Sequence, residues 1–136
     1  MDKAQDHCPN THAFSIERLE ANAAGTAIFR LAGPLTARSM YECQTPDAVN
    51  SILSFHSTPD EQLPALNILD LSEVPYVDSM GLGLIVTHYA HCQRKGIRMV
   101  AVGVGPRVVE LLRLTKVDGL IPMAATIEDA ETTARA

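Results

Sequence analysis

Tryptophan is absent from this sequence of 136 residues, and aromatic residues make up only 4% of it. A platform on which nucleic-acid bases stack is therefore not expected. Basic charge is also scarce: 11 Lys and Arg stand against 16 Asp and Glu, a net charge of -5. Broad electrostatic attachment to nucleic acid needs the opposite balance, so direct nucleic-acid contact is not expected. No apolar run approaches the roughly 20 residues that cross a bilayer. The N-terminal stretch MDKAQDHCPNTHAF lacks the apolar core of a secretory signal. A cytoplasmic protein without membrane insertion is the expectation. Cys8, Cys43 and Cys92 are odd in number and widely spaced, which suits free thiols better than a disulfide framework.

The familiar signatures of catalysis are missing too. There is no Walker-type phosphate loop and no G-x-S-x-G nucleophile elbow. Gly81-Leu82-Gly83 and Gly103-Val104-Gly105 each lack the third glycine of a dinucleotide fingerprint. His88 and His91 lie three apart on a predicted helix, and His88 and Cys92 four apart, but no carboxylate joins them. The polar side of an amphipathic helix accounts for both histidines. No catalytic residue, cofactor or metal site is expected, and the chain is read as a non-enzyme.

What is present is the pattern of one α/β domain. A hydrophobic fraction of 46% with 20% charged residues is ordinary globular usage. Residues 1–13 are polar and aperiodic and read as a flexible leader, leaving 14–136 as the domain. Phe14 to Glu20 alternate as a half-buried strand, and Thr26 to Ala32 form a second one across a short loop, which predicts a hairpin. Gly33-Pro34-Leu35-Thr36 stops that strand, with Thr36 as cap of a helix from Ala37 to about Phe55, interrupted at Pro46. His56 to Pro64 form a polar loop. Leu66 to Leu71 form a buried strand, and Gly81 to Lys95 an amphipathic helix with Leu82, Ile85, Val86 and Tyr89 inward and Gly96 as its stop. Ile97 to Val104 form a further strand. Pro106 opens a helix with Val108, Val109, Leu111, Leu112 and Leu114 on its apolar side, ended by Gly119. Leu120-Ile121 offer a last short strand, and Thr126 with Asp129 caps a final helix. The order β-β-α-β-α-β-α-(β)-α predicts a mixed sheet of about four to five strands covered by about four helices. Six basic residues between Arg94 and Lys116 face only Glu110 and read as a solvated face or a docking patch for an acidic partner.

One segment carries a chemical possibility. Tyr76-Val77-Asp78-Ser79-Met80-Gly81-Leu82-Gly83 follows a buried strand and opens a helix, the sheet edge where α/β proteins place their sites. Asp78 or Ser79 can be the N-cap. Two glycines in a first turn cost roughly 1 kcal/mol each relative to alanine; they serve either tight packing beneath the cap or close approach of another surface. A phosphoryl group on Ser79 adds about -1.5 to -2 charge at a helix N-terminus that favours anions. A partner covering Met80, Leu82 and the Gly81 backbone would then meet a dianion beside Asp78, and like charges at an interface cost several kcal/mol.

At these residues the chain resembles the STAS family, and within it the bacterial anti-sigma factor antagonists. LNILDLSEVPYVDSMGLG (66–83) is similar to the family's apolar strand and D-S-S/T-G-L-G turn. GIRMV (96–100), GPRVVELLRLTKVDG (105–119) and GPLT (33–36) resemble its next strand, later helix and early G-E-L-D turn, so that the likeness runs over residues 14–132. It implies the STAS fold. It also implies that Ser79 is a phosphoacceptor and that Thr36, Asp78, Met80, Gly81, Leu82 and Gly83 form the partner-binding surface. The implied partner is an anti-sigma factor that is itself a GHKL-type serine kinase, holding ATP and Mg²⁺ on its own side. Binding by the unphosphorylated chain releases a sigma factor, phosphorylation ends the binding, and a PP2C-type phosphatase reverses it. Met80 stands where the family has Ser or Thr, and Thr36 where it has an acidic residue. Monomer and homodimer both stay open. A non-switching STAS scaffold, or an accessory subunit of a signalling or transport complex, is the alternative; a nucleotide or other small-molecule binder is a third reading for which no pocket motif is visible.

Overall fold

The computed structural model describes residues 15–19, 24–39 and 63–135. The expected leader, the helix beyond Ser39 with Pro46, the loop up to Gln62, and Cys8 and Cys43 lie outside the described residues. Five strands form one sheet in the order β1 (Ser15–Leu19), β2 (Thr26–Ala32), β3 (Leu66–Glu73), β4 (Arg98–Val102) and β5 (Met123–Ala124). β1 and β2 pair antiparallel as the predicted hairpin, turning through Gly25 at φ 80. The other pairings are parallel. Each parallel step needs a crossover. α1 (Ser79–Arg94) links β3 to β4, α2 (Pro106–Leu114) links β4 to β5, and α3 (Ile127–Arg135) follows β5. The α/β class with a mixed sheet is as the sequence implied.

Strand periodicity divides the core into two layers. Ala27, Phe29, Leu31, Leu69, Leu71, Met99 and Ala101 pack with Ile85 and Cys92 of α1. Ile28, Ile68, Val100 and Val102 face the other way and meet Ala130 of α3. β3 is buried from Leu66 through Leu71 because both of its faces are covered.

The helix ends follow from local chemistry. α1 stops where Gly96 adopts φ 74 and the Ile97 and Gly96 N–H groups return to the Cys92 and Gln93 carbonyls at 2.8 and 3.2 Å. α2 ends in the same way at Thr115, with Lys116 rather than Gly119 in the left-handed conformation, φ 63. The expected stop at Gly119 is thus corrected: this residue lies in a later turn. The short last strand is Met123–Ala124, where Ala101 N–H reaches Pro122 O, and not Leu120-Ile121; Ile121 is buried in the core instead. Leu114 is 69% exposed and so does not belong to the apolar side of α2. Thr126 Oγ1 accepts from Asp129 N–H at 3.0 Å, capping α3.

The histidine expectation also needs correction. His88 is 1% exposed, on the inward face of α1 with Gly81, Ile85 and Cys92. Asn67, fully buried on β3, donates from Nδ2 to Ala27 O at 3.2 Å and turns Oδ1 toward His88 Nε2 at 2.6 Å. The carbonyl fixes the amide orientation, so His88 Nε2 carries the donated hydrogen. Breaking one side of such a buried hydrogen bond costs more than leaving both sides intact. Cys92 Sγ lies 3.8 Å from the same nitrogen, and burial raises its thiol to about 11, which keeps it protonated. Among the described residues no group of three or more His, Cys, Asp or Glu is placed to hold a metal.

Asn67→Leu should therefore lower unfolding free energy by about 2 kcal/mol, since it removes the buried side-chain bonds to His88 Nε2 and Ala27 O. Urea titration should show the double variant Asn67→Leu/His88→Leu losing less than the sum of its two single variants.

Candidate functional site

The β3–α1 connector and the turn after β2 meet at the carboxyl end of the parallel strands. Pro75 interrupts the chain after β3, and Asp78, in extended backbone at φ -104, caps α1. Its Oδ1 accepts from Gly81 N–H at 2.9 Å, satisfying one of the helix's free donors. Its Oδ2 accepts from Ala37 N–H, also at 2.9 Å. A single carboxylate thus joins the starts of two helical segments, because the residues at 37–39 are helical and Thr36 Oγ1 caps them by accepting from Ser39 N–H at 3.0 Å. The backbone completes the clasp. Leu35 N–H donates to Tyr76 O at 3.1 Å, Asp78 N–H donates to Leu35 O at 3.3 Å, and Leu35 bridges Val77 in parallel.

Burial opposes ionisation of Asp78, but the N–H groups of Gly81, Ala37 and Met80 outweigh it and hold the carboxyl below the usual carboxylate range. Asp70 behaves alike: burial works against its charge, yet Ser72 and Arg30 lower it, with Arg30 Nε at 3.0 Å. Arg30 and Asp70 are register partners on β2 and β3.

The residues singled out by sequence divide into two sets. Asp78 and Thr36 are half-buried and engaged in capping. Gly81 is buried, and a Cβ there would lie 2.0 Å from Leu35 O. The surface that its missing side chain admits is the chain's own Leu35 turn. Ser79, Met80 and Gly83 are exposed, with Met80 at 53%; Leu82 is half-buried. Among the described residues, nothing lies within 4 Å of a Cβ position at Gly83. Ser79 is the first helical residue, one place beyond the cap. Helix capping therefore falls to Asp78 and leaves Ser79 at a surface position.

Two neighbours of this edge were not signalled by spacing. Tyr76 is 39% exposed in the connector, and the guanidinium of Arg107, in the first turn of α2, lies 4.8 Å from its ring centroid. The partners are 31 residues apart in sequence, so only the fold unites them. On the α3 side of the sheet a cleft of about 440 Å³ is lined by Arg30, Asp70, Ser72, Thr126 and Glu128 among others. Its arginine is already tied to Asp70.

Gly83→Ala should stabilise the protein by up to about 1 kcal/mol through helix propensity. Gly81→Ala should destabilise it by about 1–3 kcal/mol through the clash with Leu35. Differential scanning calorimetry on both variants checks the contrast. The depressed carboxyls of Asp78 and Asp70 also set an acid limb. The unfolded chain takes up protons first, near pH 4, so their contribution is complete above that and is lost as pH falls through the lower folded-state values. Asp78→Asn should flatten the fall in stability between about pH 5 and 2, measured by urea midpoints across that range.

The family model of the STAS domain matches residues 18–130. An anti-sigma factor antagonist from Mycobacterium paratuberculosis has a solved structure that aligns with a TM-score of 0.69 at 23% identity, over 90% of this chain and 96% of that one. The Bacillus cell fate determinant SpoIIAA in its phosphorylated form aligns at 0.60 and 22% identity, over 90% of this chain and 100% of that one. A sulfate transporter family protein from Wolinella succinogenes aligns at 0.69 and 18%, over 85% and 89%. These likenesses share one architecture, and the family match runs from the end of β1 through the parallel strands and the Asp78–Ser79 edge: the chain belongs to the STAS domain family.

Proposed function

We propose that this protein is an anti-sigma factor antagonist. In this reading the unphosphorylated chain binds an anti-sigma factor that is also a serine kinase, and a sigma factor is released. Phosphorylation of Ser79 ends the binding, and a PP2C-type phosphatase restores it. The chain acts as a binding module and kinase substrate. ATP and Mg²⁺ belong to the kinase.

One observation carries the reading: Ser79 is exposed at the first position of α1 while Asp78 alone supplies the side-chain cap. A phosphoryl group at that position meets the positive end of the helix and leaves both Asp78 hydrogen bonds in place. Its effect falls on whatever docks over exposed Met80 and Gly83 and half-buried Leu82. Several structures of the same fold are anti-sigma factor antagonists by name, one of them phosphorylated, which supports the reading. The alternative, a scaffold or accessory STAS subunit without a switch, is favoured only by the transporter-family likeness. No helix among the described residues is long and apolar enough to cross a membrane.

Incubation with ATP and the GHKL-type serine kinases of the source cell should place one phosphate on Ser79, seen by mass spectrometry, and Ser79→Ala should abolish it. Incorporation that survives Ser79→Ala removes the assignment. Ser79→Asp should abolish partner binding yet keep Tm within about 3 °C of the parent, since an acid in the first turn is worth only a few tenths to 1 kcal/mol.

A further inference from the structure

Arg107 breaks two local rules at once. It is a cation in the first turn of α2, where the helix dipole disfavours positive charge. That turn also holds no acidic residue, and the Gly105 N-cap offers no side-chain bond. Two other arginines are paired with carboxylates, Arg30 with Asp70 and Arg113 with Glu110 at 3.3 Å, while Arg18 lies over the Phe29 ring at 5.8 Å. Among the described residues no carboxylate pairs with Arg107; its guanidinium rests on the ring of Tyr76, 4.8 Å from the centroid. Stacking on an aromatic face holds an arginine in one orientation without cancelling its charge. Both residues are exposed, and Tyr76 stands three positions before Ser79 and four before Met80. Tyr, Met and Arg are the residue types enriched where protein interfaces are strongest. A local choice that stability disfavours, set beside a candidate site, points to function.

We propose that the Tyr76–Arg107 pair is the charged anchor of the docking surface beside Ser79, and that its occupant is a partner protein presenting a carboxylate to Arg107 and an apolar depression to Tyr76 and Met80. The Asp78 carboxylate is engaged by the Gly81 and Ala37 N–H groups but keeps its charge, and Arg107 is a cation near this edge that a partner carboxylate can meet. Phosphorylation then does more than add bulk. A group of about -1.5 to -2 charge on Ser79 outweighs the single positive charge of Arg107 and repels the carboxylate that Arg107 attracts. The inference rests on the antagonist reading and supplies the electrostatic reason why a phosphate would end binding.

The test uses the full chain and the GHKL-type kinase that labels Ser79, with binding measured by calorimetry or biolayer interferometry without ATP. Arg107→Glu should weaken binding about 30-fold or more, the scale of an interface hot spot, with Tm held or slightly raised because an acid suits the first turn of α2. Arg107→Lys, which keeps charge but not planar stacking, should lose less. Rising ionic strength should slow association of the parent and not of Arg107→Glu. If Arg107→Glu binds as the parent does while Ser79→Asp still abolishes binding, the anchor is wrong and the antagonist reading stands. If no kinase labels Ser79 and Ser79→Asp binds as the parent does, both fall. If the only association seen is of the chain with itself, disrupted by Arg107→Glu, the surface is a homodimer contact and the assignment of a partner carboxylate is overturned.

Discussion

The Asp78 carboxylate is the contact on which this end of the molecule depends. Each of its oxygens accepts from a backbone N–H in a different segment, Gly81 in α1 and Ala37 after β2, both at 2.9 Å. These donors would otherwise be among the unsatisfied groups that every helix start presents. Neutral caps close one such donor; an ionised carboxylate closes two and does so with stronger, charge-assisted bonds. The Leu35–Val77 bridge and the Leu35 carbonyl packed on Gly81 add backbone contacts to the same joint. The early turn and the β3–α1 connector therefore behave as one rigid unit, and Ser79 is presented from it.

Rigidity here has a consequence for signalling by a single charge. If Ser79 were the cap, modifying its hydroxyl would cost about 1 kcal/mol of helix stability and blur a change of surface with a change of fold. With the cap one residue earlier, the two are separated. The dipole of α1 accepts an added anion, while the ionised Asp78 beside it adds to the negative charge that a docking partner would meet. What changes is the charge of an edge near which the exposed Arg107 guanidinium has no carboxylate partner among the described residues.

Much of this was legible in sequence, for identifiable reasons. β2 is bounded by Gly25 and Gly33, whose positive φ values only glycine takes easily, so its limits coincide with Thr26 to Ala32. β3 and the Asp78 cap follow from a leucine- and isoleucine-rich stretch, Leu66 to Leu71, followed by Pro75. His88 was misplaced because periodicity sorts residues by polarity and cannot see a partner on another element: Asn67, 21 residues earlier and itself inside an apolar strand, makes the buried imidazole acceptable. Gly119 drew the end of α2 too late because the left-handed position is held by Lys116, a residue that rarely takes it. Leu114 was assigned inward on spacing, but the helix turns over at Thr115 and leaves it in solvent. The Tyr76–Arg107 stack was invisible because it joins the β3–α1 connector to the first turn of α2, which meet only after β3 and β4 pair.

The two glycines of the α1 first turn show how one motif serves two ends. Gly81 is needed internally, since any Cβ would strike the Leu35 carbonyl that the clasp holds in place. Gly83 answers to nothing among the described residues: it is exposed, its Cβ position is open to them, and it weakens the helix by about 1 kcal/mol relative to alanine. A residue that costs stability and relieves no internal contact makes sense where another molecule approaches the backbone. The same logic applies to Arg107, which opposes its own helix dipole. Asp78, Gly81 and Leu35 form an inward layer that fixes geometry, while Ser79, Met80, Gly83, Tyr76 and Arg107 form an outward layer that the fold does not require. Because the layers share no side chain, the outer one is free to change charge without disturbing the inner one, and that independence is the physical condition a reversible protein–protein switch must meet.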